Sequence, residues 1–197
     1  IERISTILDQ FSIPRTYFLC GQFVESMAEK YGADRIQKAF NPISKLVELC
    51  DHSYSHKVMK KIETRPDKIP LEHSLVKEEF EINTELFQKI FPEINIEKRG
   101  FRTPLGHKGG LKGEFKLLDI FKRLEIKYVS SDLRDVNNSL HPKLVTEDGT
   151  IRQPYRYENG MLEIPAIGWQ DTAFSGTSST KLFESPPTTF DEIIEYY

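Results

Sequence analysis

The sequence predicts an α/β fold, a parallel sheet or barrel with helices between its strands, and three features lead to that expectation. Short apolar runs of strand length alternate with amphipathic helical segments along the chain. No internal repeat interrupts the alternation. In addition, His52, Arg102 and Asp132 all lie at expected strand ends, and such folds collect their chemistry at the C-terminal ends of their strands.

Taken in order, Ile4, Ile7, Leu8 and Phe11 recur at helical spacing over 2–11. Pro14 ends that helix, because it has no N–H for the hydrogen-bond ladder. Residues 16–20 form a short buried strand closed by Gly21, and helices are expected over 23–31 and 34–40 with Gly32 between them. Residues 46–50 suit a strand or a helix end, and either one delivers Asp51 and His52 at its tip. The stretch 57–70 is basic and holds two prolines, which marks a surface loop. A long helix follows over 71–91, with Leu71, Leu75, Ile82, Leu86 and Ile90 as its buried stripe and Pro92 as its stop. Residues 100–104 form a strand that runs into a glycine-rich loop over 105–113. A helix over 114–124 is expected to bury Phe115, Leu118, Phe121 and Leu124, and a strand over 127–132 ends on Asp132. The polar excursion 133–160 contains Asp148-Gly149 as a hairpin turn. A last short strand lies at 162–165, and a helix from about Phe190 closes the chain.

Composition narrows the function classes. At 197 residues the chain is most economically a single domain, 1–197, with 38% hydrophobic and 29% charged residues, as in an ordinary globular protein. A net charge of -3 gives no reason to expect nucleic acid as a partner. No apolar run reaches the roughly 18 residues that a membrane-spanning helix needs. Cys20 and Cys50 are two isolated thiols rather than a disulfide framework.

The chemistry concentrates in Asp51-His52-Ser53-Tyr54-Ser55-His56. Imidazoles four residues apart can be aimed at one point, and neutral imidazole is the commonest protein ligand for a divalent metal. Side chains of adjacent residues usually diverge, so Asp51 is expected to brace the loop rather than to ligate. Ser53 is expected to steady the loop through a backbone hydrogen bond; no partner base supports a nucleophilic role. Arg102, between Phe101 and Pro104, suits a fixed guanidinium that holds a carboxylate. Trp169 serves either the core or a sugar-stacking surface. His73 and His107 lack partner spacing and are read as exposed, with His107 able to border a groove.

These residues together resemble the polysaccharide deacetylase family, also called the NodB-homology or carbohydrate esterase 4 family. The resemblance is carried in order by residues 13–18 with Cys20-Gly21, by His52-Ser53-Tyr54-Ser55-His56, by Phe101-Arg102-Thr103-Pro104-Leu105-Gly106, by Ser131-Asp132 and by Glu163-Ile164-Pro165. It implies an irregular (β/α) barrel and a divalent metal, with zinc first and cobalt or manganese as alternatives, held by His52 and His56. It further implies that Arg102 orients a catalytic Asp, that Asp132 supports the site, and that Pro104, Leu105, Gly106 and Trp169 line the substrate groove. The implied reaction is hydrolysis of a non-peptide amide, removing N-acetyl groups from a glycan such as peptidoglycan or a chitin-like oligosaccharide. Small cyclic amides or imides, and a non-catalytic carbohydrate-binding role, are the alternatives.

The sequence also departs from the family pattern. The family's Thr-Phe-Asp-Asp motif, source of the catalytic base and third ligand, and its closing Leu-His motif have no counterpart in the expected places. A domain incomplete at both ends is therefore expected. Thr189-Phe190-Asp191-Glu192 imitates the first motif, but its spacing is that of a capping box opening a helix. Leu140-His141-Pro142 echoes the last motif on the wrong side of Glu163-Ile164-Pro165, and His141 is read as a loop residue. Leu133 follows Asp132 where the family often carries Trp, which changes that wall of the groove.

Overall fold

A computed structural model describes residues 2–94, 99–138, 140, 142–146, 148–168, 189, 191 and 192. Trp169 and His141 lie outside the described residues, as does most of the expected C-terminal helix. The element order is α1 (Glu2–Gln10), β1 (Arg15–Leu19), α2 (Gly21–Tyr31), α3 (Ala33–Phe40), β2 (Val47–Asp51), α4 (His73–Ile90), β3 (Phe101–Lys108), α5 (Phe115–Arg123), β4 (Tyr128–Arg134), β5 (Tyr155–Arg156) and β6 (Leu162–Glu163). The strands form one sheet in the order β1-β2-β3-β4-β6-β5. Every neighbouring pair is parallel except β5 with β6. The expected α/β class and parallel sheet are thus present. The stretch 46–50 resolves as a strand, because Arg15 to Leu19 pairs with Val47 to Asp51 residue by residue.

Alternation along the strands gives the sheet two faces. Leu19, Leu49, Phe101 and Val129 point to the helices and seed two apolar clusters. One cluster joins Leu19 and Leu49 to Val24, Ile36, Phe40, Phe87 and Ile90; the other joins Phe101 and Val129 to Val76, Phe80, Leu118 and Phe121. Helix α4 contributes to both, so it ties the halves of the sheet together. Rings in the second cluster meet edge to face, with Phe101 and Phe121 centroids 5.0 Å apart. Truncating either ring to Ala would cost about 3–5 kcal/mol. The opposite face carries a polar and aromatic set in which Thr16 and Tyr128 both donate to Glu48 Oε2, at 3.0 and 2.8 Å.

Several expected burial patterns are corrected. The α4 stripe is Val76, Glu79, Phe80, Asn83, Phe87 and Ile90, while Leu75 and Ile82 face solvent. This sequence offers two helical stripes, and contact with the sheet selects the one that includes two polar residues. In α1 the helix forms, yet Ile4, Ile7 and Phe11 are exposed and Ser5 is buried. Ser5 Oγ donates to the Ala39 carbonyl at 2.8 Å, so that helix is docked on α3 by its polar side. In α5 Leu117 is buried and Phe115 is exposed. The strand at Phe101 continues to Lys108 instead of giving way to a loop at Leu105.

Other expectations hold in detail. Helix α1 ends with Ser12 at φ 53°, and Ile13 N–H closes back on the Leu8 carbonyl at 2.9 Å. The Asp148-Gly149 turn joins residues 145 and 151 in an antiparallel bridge. Thr189 and Glu192 form the capping box, with Glu192 N–H on Thr189 Oγ1 and Thr189 N–H on Glu192 Oε2. Cys20 and Cys50 are free thiols. No described helix is long and apolar enough to cross a membrane.

Candidate functional site

His52 follows the last residue of β2, and His56 lies at the far side of a tight loop. Their Nε2 atoms face each other at 3.0 Å. His52 Nδ1 donates to the Arg102 carbonyl at 2.8 Å, which leaves its Nε2 lone pair turned into the gap between the rings. Burial pushes His52 down to about 4. Burial, and then the Lys68 charge, lowers His56. Both rings are therefore neutral at pH 7, the form that ligates. Two nitrogens bound tetrahedrally to zinc stand about 3.3 Å apart, so the pair fits two positions of such a site with little movement. Among the described residues no group of three His, Cys, Asp or Glu side chains converges as a complete metal site.

Arg102 joins the pair in two ways. Its backbone carbonyl fixes the His52 ring, while its guanidinium lies 4.6 Å over the Phe18 ring and donates to Ser130 Oγ at 3.1 Å. Stacking and hydrogen bonding hold the planar fork beside the sheet's second face. Pro104, Leu105 and Gly106 lie just beyond, where the β3–β4 register shifts between Arg102 and His107. Leu105 and Gly106 both have positive φ, 61° and 58°. Any Cβ at position 106 would stand 2.3 Å from Leu133 Cβ, so glycine is required at that kink. The side chain of Arg134 spans it by donating to the Leu105 and Gly106 carbonyls.

Asp132 occupies a different environment. Its Oδ1 accepts Arg152 Nη2 at 2.6 Å and the Gly109 N–H at 3.1 Å. Below it, Glu163 takes the Ser131 and Asp132 N–H groups on one oxygen and the Tyr157 hydroxyl on the other. Burial raises the Glu163 carboxyl.

The loop between the histidines is held from beneath. Asp51 Oδ1 accepts Ser53 N–H at 2.7 Å and Asn83 Nδ2 at 2.9 Å, and Oδ2 accepts Arg99 Nη2 at 2.7 Å and Nε at 3.1 Å. Burial raises the Asp51 carboxyl and the Arg99 charge opposes it. With a permanent guanidinium and four donors, Asp51 is a carboxylate at neutral pH, committed to bracing as the sequence suggested. Glu79 Oε2 accepts Ser55 N–H at 2.9 Å. From α2, Gly21 and Gln22 donate their N–H groups to the Ser53 and Tyr54 carbonyls, each at 3.0 Å.

Sequence reasoning missed Glu79, Asn83 and Arg99. A signal existed, since Glu79 and Asn83 are one helical turn apart, but the competing apolar stripe masked it. Arg99 carries no local pattern at all. His107, expected to be exposed, is instead 3% exposed, and among the described residues neither ring nitrogen has a hydrogen-bond partner. Burial, followed by the charges of Lys60 and Arg134, pushes it down to about 3.

No family model and no curated protein matches this sequence. Among solved structures, the chain is similar to a CE4 family pseudoenzyme from Bacillus anthracis, at 19% identity over 64% of this chain and 36% of that one, with a TM-score of 0.44. A mutant of that pseudoenzyme with restored enzymatic activity gives 20% identity over 64% and 38%, with a TM-score of 0.46. The IcaB structure from Ammonifex degensii gives 18% over 66% and 52%, with a TM-score of 0.45. The chain spans between 36% and 52% of the length of these structures.

Proposed function

We propose that this chain is a polysaccharide deacetylase-like domain, a metal-dependent hydrolase of non-peptide amides that removes N-acetyl groups from a glycan. The observation that carries the reading is the facing Nε2 pair of His52 and His56, with the His52 tautomer set by the Arg102 carbonyl. The ordered motifs that resemble the family support it, as does the position of the pair at the C-terminal end of a parallel sheet. Closure of the sheet into a barrel belongs to the same proposal.

A divalent ion, zinc first and cobalt or manganese as alternatives, supplies Lewis acidity and a lowered water pKa when bound. His52 and His56 hold it as neutral imidazoles. Arg102, fixed over Phe18, keeps a permanent charge beside them and orients an acidic partner. The kinked run Pro104-Leu105-Gly106 forms a wall of the groove. Asp132, tied to Arg152, steadies the β4 side of the site rather than reacting.

One observation favours a second reading, a carbohydrate-binding domain without catalysis: Asp51 is fully engaged elsewhere and no third ligand converges among the described residues. Zinc titration of the chain, with acetate release from N-acetylated oligosaccharides, separates the two. Stoichiometric zinc binding that is lost in His52→Ala supports the metal role, and acetate release supports the enzyme. Glycan binding without zinc uptake would establish the non-catalytic reading. Release of ring-opened product from a cyclic imide, with no acetate from glycans, would move the substrate to small amides.

A further inference from the structure

We infer that Glu79 is a positioning residue for the histidine pair: from helix α4 it holds the 52–56 loop in a strained conformation that keeps both imidazoles aimed at one point. The inference rests on the metal-binding reading of His52 and His56 and adds what sets their affinity.

Ser53 and His56 both have left-handed backbone, at φ 59° and 56°, although neither is glycine. Such backbone is strained in a residue other than glycine and persists only where its surroundings over-determine it. His56 is itself one of the two candidate ligands, so the direction of its ring depends on that strain being held. Besides Cys20 Sγ on the Tyr54 carbonyl and the Tyr54 hydroxyl on Glu25, backbone hydrogen bonds restrain the loop. Ser53 N–H goes to Asp51, the Ser53 and Tyr54 carbonyls go to α2, and Ser55 N–H goes to Glu79. Of these, the Glu79 contact is the one on the His56 side of the loop, adjacent to the ligand.

Glu79 is also placed where its burial needs a reason. It is 9% exposed on the buried stripe of α4, between Val76 and Phe80, where an apolar residue would pack in its place. Asn83, one turn on, reaches Asp51 from the same stripe. Two polar residues on one apolar face thus serve two of the three N–H groups that lie between the histidines, those of Ser53 and Ser55, Asn83 indirectly through Asp51 and Glu79 directly. Leucine fills the same place on the stripe but offers the Ser55 N–H no acceptor, so a packing role and a positioning role predict different outcomes.

The test uses the full chain and its Glu79→Leu and Glu79→Gln variants, with zinc affinity, thermal midpoint and amide hydrogen exchange as readouts. Glu79→Leu is expected to lower the midpoint only slightly, through the lost Ser55 contact, and to weaken zinc binding roughly 10- to 100-fold, as loss of outer partners of a metal site does. Glu79→Gln, which retains an acceptor for Ser55 N–H, is expected to restore most of that affinity. In the zinc-free chain, Glu79→Leu should speed exchange of the 53–55 amides about tenfold or more while β2 and α4 stay protected. Unchanged zinc affinity with unchanged exchange in Glu79→Leu would overturn the inference, as would a fall in midpoint that accounts for the whole loss of affinity. If the wild type takes up no zinc, the metal reading fails, and the exchange measurement still decides whether Glu79 holds the loop.

Discussion

At the end of β2, Asp51 points to the helix side of the sheet and takes Arg99, Asn83 and the Ser53 N–H. In β4, Asp132 takes Arg152 and the Gly109 N–H. Both are carboxylates on neighbouring parts of one parallel sheet, and both pair with an arginine brought from elsewhere in the chain. Their settings differ in depth and in what they leave open. The side chains of Asp51 and Arg99 are 0% and 5% exposed, whereas those of Asp132 and Arg152 are 10% and 11% exposed. At β2 the buried ion pair lies beneath the loop and frees two imidazoles above it. At β4 the pair closes over the strand two residues before its end, with Glu163 and Tyr157 packed below. A strand-end carboxylate is thus no marker of catalysis by itself; what its partners leave uncommitted decides.

The largest expected effect breaks the comparison at its deeper member. Asp51→Ala leaves Arg99 buried without its counter-charge and should cost about 3–5 kcal/mol in chemical denaturation. Asp132→Ala, whose arginine can turn to water, should cost about 1–3 kcal/mol. Equal losses would mean that depth does not separate the two ends.

Next, His52→Ala or His56→Ala should lower zinc affinity roughly 100-fold or more, with calorimetry as the check. Asp132→Ala should leave that affinity within about threefold, because its partners Arg152 and Gly109 are not shared with the histidines. A matching loss in Asp132→Ala would join the two ends into one site.

A smaller effect is expected at His107, which lies in β3 between them. Its folded pKa of about 3 is below the ordinary 6.5, so the unfolded chain binds the extra proton and stability falls as pH drops below about 6.5. His107→Leu should therefore be more stabilising at pH 5 than at pH 7, by about 2 kcal/mol. A gain independent of pH would show that His107 protonates freely in the folded chain. Last, Arg102→Lys should reduce acetate release about tenfold while leaving zinc affinity intact, since its backbone carbonyl still fixes His52 but the planar fork is gone. Loss of zinc in that variant would assign Arg102 to the scaffold.

What the sequence determined by itself is local and periodic. The alternation of strands and helices, the stops before Pro14 and Pro92, the Asp148-Gly149 turn and the Thr189–Glu192 cap all depend on neighbours within a few residues. The spacing of His52 and His56 was legible for the same reason, whereas Arg102, expected at a strand end, is the second residue of β3 because that strand runs on to Lys108. Only the tertiary structure decided which side of α4 is buried, that α1 docks through Ser5, and that His107 is enclosed. It also brought Glu79, Asn83 and Arg99 beneath the histidine loop. Those choices depend on contacts between residues 24–48 positions apart, such as Ser55 with Glu79 and Asp51 with Arg99, and no local pattern encodes the partner at such separations.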